Sequence, residues 1–151
     1  MVWHRPPWQE PEVPLQFDVI HDDGDLLIVN KPSGLPVMPA GGFLEHTLLR
    51  LLEQCWPANP PRPVHRLGRA TSGLLICARR GRSRAWLSAA LRDHGRAATG
   101  DTVASAVSIE KIYRCRTVKA ELEVEGRIEA PIGALEHPRL GRLWCADPQG
   151  L

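Results

Sequence analysis

Between Arg62 and Arg80 the chain reads RPVHRLGRATSGLLICARR, and its chemically capable side chains gather at the start of that stretch. His65 can take or give a proton near neutral pH. Arg66 and Arg69 offer planar, permanently charged forks suited to two-point contact with phosphate oxygens. Thr71 and Ser72 add hydroxyls, and Gly73 marks a junction where a chain turns sharply or lets another group approach. The stretch holds no carboxylate: neither Asp nor Glu occurs between Glu53 and Asp93.

The same interval carries Arg62, Arg66, Arg69, Arg79, Arg80, Arg82, Arg84 and Arg92. A block of one sign is a phosphate-binding footprint, whereas a merely solvated face usually mixes its signs. Net charge, only +2, says little by itself. Nucleic acid is therefore the expected partner, with an Arg-decorated solvated helix as the alternative.

These residues need elements to hold them. Leu74–Ala78 reads as a buried strand behind a polar loop, a rigid mount for an open site. Upstream, Phe17–His21 and Leu26–Val29 read as strands joined by the turn Asp22-Asp23-Gly24-Asp25. Lys31-Pro32-Ser33-Gly34-Leu35-Pro36 then breaks regular structure, and Lys31 suits a phosphate contact or a turn with its ammonium in water. Glu45–Trp56 reads as an amphipathic helix, with His46 and Thr47 as helix-start residues and Leu48, Leu49, Leu51, Leu52 and Cys55 on one face. A second helix is expected over Ser83–His94. Ser83 would be its N-cap, Trp86, Leu87, Ala90 and Leu91 its buried stripe, and Gly95 its stop. Residues 96–108 look like a surface loop, Ile109–Val118 like a strand carrying Lys111 and Tyr113, and Ala134–Leu151 like loop. Residues 1–14, rich in proline with Trp3 and Trp8, read as an irregular arm ahead of a domain over 15–151. Short strands with interspersed helices argue a mixed α/β or α+β domain.

Composition sets the outer limits. An apolar fraction of 43% and a charged fraction of 24% are those of a soluble globular chain. No run is long and apolar enough for a membrane span, and the N-terminus has no apolar signal-peptide region. A cytoplasmic location is the default expectation. Cys55, Cys77, Cys115 and Cys145 make no C-x-x-C pair, so free thiols are expected rather than metal or disulfide roles.

The stretch His65-Arg66-Leu67-Gly68-Arg69-Ala70-Thr71-Ser72-Gly73-Leu74-Leu75 resembles the signature loop of the RluA-type RNA pseudouridine synthases. There it reads His-Arg-Leu-Asp, two variable residues, Thr-Ser-Gly and an apolar pair. Three further segments resemble the family in order: IVNKPSGLPVMP around Lys31, Glu110-Lys111-Ile112-Tyr113-Arg114-Cys115 with its Lys-x-Tyr pattern, and Val124 to Gly133. The resemblance implies the pseudouridine synthase fold, α+β around a largely antiparallel bent sheet with the site in its cleft. It implies uridine-to-pseudouridine isomerisation in structured RNA (rRNA or tRNA) without metal or organic cofactor. A carboxylate attacks or deprotonates the ribose, and the uracil detaches, turns and rejoins through carbon.

Carried onto this chain, His65, Arg66, Gly68, Arg69, Thr71 and Tyr113 would line the active-site cleft, with Tyr113 packed on the uracil. Arg62, Arg66, Arg69, Arg79, Arg80 and Lys31 would contact RNA. Two departures stand out. The family's catalytic aspartate falls on Gly68, so no catalytic residue is assigned and a pseudoenzyme that only binds RNA is the alternative. The family's later Arg-containing segment, of the type His-Gln-Ile-Arg-Val-His, does not occur. The domain is thus expected to be incomplete on its C-terminal side, as a truncated product or a half-domain completed by a second protein.

Overall fold

A computed structural model describes residues 9–97, 109–116, 126, 130–137 and 141–146. They fall into two compact units, Met1–Lys111 and Ile112–Leu151.

The first unit is built on a four-stranded antiparallel sheet in the order β1-β2-β4-β3. The strands are β1 (Asp18–Asp22), β2 (Leu26–Lys31), β3 (Arg62–Pro63) and β4 (Gly73–Ala78). Register puts Leu27 opposite Cys77 and Val29 opposite Leu75. The period of two then sends all four to one face, where each is fully buried. Helix α1 (Leu48–Cys55) covers that face with Leu48, Leu51 and Leu52, and Leu35 and Val37 complete the core. Thr47 is its N-cap and accepts from the Arg50 N–H at 3.3 Å. The described part of the arm is irregular and pinned to the entry of α1: the Glu10 carboxylate accepts from the N–H groups of Glu45 and His46, each at 2.7 Å.

The four acidic-turn residues do more than turn the chain. Asp23 Oδ1 accepts from the N–H groups of Asp25 and Leu26, which closes the loop between β1 and β2. Asp22 takes both arms of Arg79 at 2.7 and 2.8 Å. Asp25 accepts from the Arg80 N–H and from the Ser83 hydroxyl. Helix α2 (Gly81–Ala97) therefore starts earlier than the sequence predicts, with its first turn held by Asp25 rather than capped by Ser83. It also runs through Gly95 instead of stopping there. Ala90 and Leu91 are buried as expected, but Trp86 is 54% exposed.

The later part of the chain corrects two expectations. Residues 109–116 form no strand: Ile112 is 83% exposed, and β-propensity alone does not make a strand without a ladder partner. The segment read as loop holds a hairpin, β5 (Ile132–His137) and β6 (Gly141–Ala146), in register from Ile132↔Ala146 to His137↔Gly141. The surface loop expected over 96–108 lies mostly outside the described residues, as do Trp3 and Trp8. Among the described residues, no helix is long and apolar enough to cross a membrane.

The difference between Leu52 and Trp86 is measurable. Leu52→Ala should lower the unfolding free energy in urea by about 2–5 kcal/mol, the cost of truncating a fully buried leucine. Trp86→Ala should change it by no more than about 0.5 kcal/mol.

Candidate functional site

Strand β2 ends on Lys31. The alternation that buries Leu27 and Val29 buries Lys31 as well, leaving it 0% exposed. An ammonium in such a place must give away all three protons. It does: Nζ donates to the carbonyls of Pro32 (2.8 Å), Leu35 (2.8 Å) and Arg69 (3.2 Å). Burial pushes its pKa down from the ordinary lysine value. Lys31 thus spends its charge inside the fold, in place of the phosphate contact expected of it.

The residues after Lys31 grip the same loop. The Ser33 hydroxyl donates to the Ala70 carbonyl at 2.7 Å, and the Gly34 N–H donates to the Arg69 carbonyl at 2.8 Å. Gly34 has φ +94°, and a Cβ there would lie 3.2 Å from Pro14 Cδ, so both backbone and space call for glycine. Within the loop the Thr71 N–H donates to the Gly68 carbonyl at 3.0 Å, closing a turn.

His65 holds the loop's leading end. The β3–β4 ladder continues one step, with Val64 N–H on the Ile76 carbonyl at 3.0 Å. The Ile76 N–H then donates to His65 Nε2 at 3.1 Å, so the imidazole stands in for the next backbone carbonyl. An accepting Nε2 means the ring is neutral with its proton on Nδ1. Burial first, and the charge of Lys111 second, hold its pKa below the ordinary 6.5. Lys111 itself donates to the Leu91 carbonyl of α2 at 2.8 Å.

Gly68 lies between these anchors and is exposed. Its φ is not in the left-handed region, unlike that of Gly73 at +121°. A Cβ built at Gly68 would meet only Thr71 Oγ1, at the ordinary contact distance of 3.4 Å. Nothing local therefore demands glycine at the position of the expected carboxylate.

The arginines divide into two groups. Arg79 has a side chain only 6% exposed, clamped by Asp22 and set 5.5 Å from the centroid of the Trp56 ring. Arg62 pairs with Glu53, which also takes Arg50. These two serve the fold rather than a free phosphate surface. Arg66, Arg69 and Arg80 are exposed, and among the described residues no carboxylate pairs with them. The signature loop thus brings His65, Arg66, Gly68, Arg69 and Thr71 into one docked turn. Tyr113 lies in the second unit, 65% exposed. Cys77 is buried and its thiol is pushed up to about 12, while Cys55, Cys115 and Cys145 are exposed; all four are free. Sequence reading missed Asp22, Asp25 and Phe43, whose ring lies 5.4 Å from the Arg69 guanidinium.

The family model described as RNA pseudouridylate synthase matches residues 25–144. The chain belongs to the RNA pseudouridylate synthase family. It is 39% identical over 150 residues to a Synechocystis protein named as an uncharacterized RNA pseudouridine synthase, covering 99% of this chain and 47% of that one. It is 35% identical over 165 residues to RNA pseudouridine synthase 5 of Arabidopsis thaliana, covering 99% and 45%. It is 34% identical over 155 residues to ribosomal large subunit pseudouridine synthase D of Zymomonas mobilis, covering 97% and 44%. The chain therefore spans about half the length of the curated relatives it matches. The α+β fold and the RluA-type motifs agree with this membership.

Two expectations follow for the pseudouridine synthase loop. Lys31→Met should leave the Pro32, Leu35 and Arg69 carbonyls short of a donor, at about 1–3 kcal/mol for each one left buried and unpaired. Hydrogen exchange at the Gly34 amide should accelerate by at least about tenfold, a loss of about 1.4 kcal/mol in local protection. Protonating His65 at Nε2 would break its bond to Ile76. With its folded pKa lowered, this contribution is complete above the ordinary 6.5 and is lost as pH falls through the lowered value. Urea midpoints between pH 7.5 and 5 should therefore fall more steeply for the wild type than for His65→Gln.

Proposed function

We propose that this chain holds structured RNA, rRNA or tRNA, against the docked loop His65–Ser72, and that its capacity to isomerise uridine is limited by Gly68. The observation that carries this reading is the state of the loop. It is anchored at Lys31, Ser33, Gly34 and His65, and exposes Arg66 and Arg69, yet offers hydrogen where the family's aspartate would stand. Arg66 and Arg69 are cast as phosphate or vacated-base contacts, with Arg80 as a further phosphate contact. Tyr113 is cast as the residue packed on the uracil, on the family resemblance alone. Glycine can neither attack the ribose nor take its proton, and loss of a catalytic nucleophile costs on the order of 10⁶ in rate in well-studied enzymes.

A second reading is favoured by the same glycine: a non-catalytic RNA-binding module that uses the arginines as a clamp.

The deciding experiment measures RNA binding and uridine conversion together, on cellular RNA depleted of pseudouridine. The wild-type chain should bind at low salt, lose affinity steeply as salt rises, and convert no uridine. Gly68→Asp, which the local geometry accepts, should gain conversion if the rest of the cleft is assembled in this chain. Binding without conversion in Gly68→Asp would favour the binding module. Absence of binding by the wild type at low salt would overturn both readings.

A further inference from the structure

Beyond the Lys31–Leu35 clamp the chain makes a second, smaller hairpin. Ala40 and Phe43 exchange both backbone bonds, N–H to carbonyl in each direction, at 3.1 Å. Gly41 and Gly42 occupy the central positions with φ +58° and +90°. Positive φ at both is the tight type I′ connection, which glycine adopts without strain. A Cβ on either glycine would meet nothing within 4 Å, so the tip stands open. The run Leu35–Leu44 carries no charged residue, and Met38 and Leu44 are 46% and 47% exposed.

Phe43 is the aromatic residue of this hairpin, and it does not join the hydrophobic core. Its ring faces the Arg69 guanidinium instead, at 5.4 Å. The Arg69 backbone is itself fixed, because its carbonyl accepts from both Lys31 and Gly34. A tight turn thus places an apolar ring against an exposed arginine of the signature loop. Core packing does not account for the ring, and no carboxylate among the described residues accounts for the arginine.

We propose that the Ala40–Phe43 hairpin and Arg69 together form a stacking platform for an unpaired nucleobase of the bound RNA. This rests on the RNA-binding reading above and adds a partner specificity to it. Every base has an apolar face that can lie on an aromatic ring or a guanidinium plane. In a duplex those faces are already stacked inside the helix. In a loop or bulge they are free. The platform therefore selects RNA with an unpaired base next to the phosphates that the arginines hold.

The test uses the whole chain and an RNA stem-loop with 2-aminopurine in its loop, alongside a duplex of equal length. The wild type should bind the stem-loop more tightly than the duplex and change the 2-aminopurine fluorescence through stacking. Phe43→Ala should weaken stem-loop binding about tenfold, leave duplex binding and the salt slope unchanged, and abolish the fluorescence change. Phe43→Trp should restore both, which a merely structural ring would not predict. An unaltered stem-loop affinity and fluorescence in a folded Phe43→Ala, with the wild type binding normally, would overturn the platform and leave the RNA-binding reading standing. A wild type that binds neither RNA would overturn both.

Discussion

Everything at the site hangs on one buried ammonium. Lys31 lies on the core face of β2, fully enclosed, with its three donors on three carbonyls. Two of those carbonyls belong to the turn that follows it, and one belongs to Arg69, far along the chain. A single cation thus ties the end of a central strand to the signature loop. Burying a charge is expensive, and here the cost is offset by pairing all three donors, which a hydrophobic residue could not do for the three carbonyls. What the lysine contributes is direction: carbonyls can be gathered around it only in one arrangement. The adjoining bonds from Ser33 and Gly34 to Ala70 and Arg69 fix the same stretch of loop.

This arrangement explains why the arginines cannot be treated as one surface. A block of eight arginines without an acid reads, in sequence, as a uniform basic field. In three dimensions, acids from outside the block enter it. Asp22 and Glu53 come from the β1–β2 turn and from α1, and they neutralise Arg79 and Arg62. The Asp22–Arg79 pair crosses a long stretch of chain, and both pairs reach outside the block, so neither can be seen in its local charge count. Of the arginines left exposed in the loop, Arg69 is mounted on backbone that Lys31 and Gly34 have fixed, and Arg66 follows the anchored His65.

The legible parts of the fold were those governed by local pattern. Alternation and apolar runs gave β2 and β4, the leucine spacing gave α1 with Thr47 at its start, and order of motifs gave the family. The illegible parts depended on distant partners. Trp86 lies on the helical stripe that periodicity assigns to the core, yet it is largely exposed because nothing described covers that part of α2. Gly95 is a helix stop by propensity, but α2 continues through it, and a glycine inside a helix costs only about 1 kcal/mol relative to alanine. Lys31 read equally as a phosphate contact or as a turn residue with its ammonium in water, because its enclosure by three carbonyls arises only on folding. Phe43 carried no signal in isolation. The Gly41-Gly42 pair before it was the readable sign of a tight turn, and a turn of that type presents its flanking residue in a defined direction.

The glycine at position 68 separates two properties that the family's signature loop ordinarily joins. The loop's conformation is set by backbone carbonyls, by His65 at its leading end, and by the positive φ of Gly73 at its trailing end. None of these contacts uses a side chain at position 68. The carboxylate expected there is therefore a passenger on a turn that other residues build. Removing it subtracts the reacting group and leaves the support in place. The reverse does not hold: disturbing Lys31 or His65 would move the arginines together with any group carried at 68. In this fold the residues that hold the loop are distinct from position 68, so a change of side chain there leaves the loop's support intact.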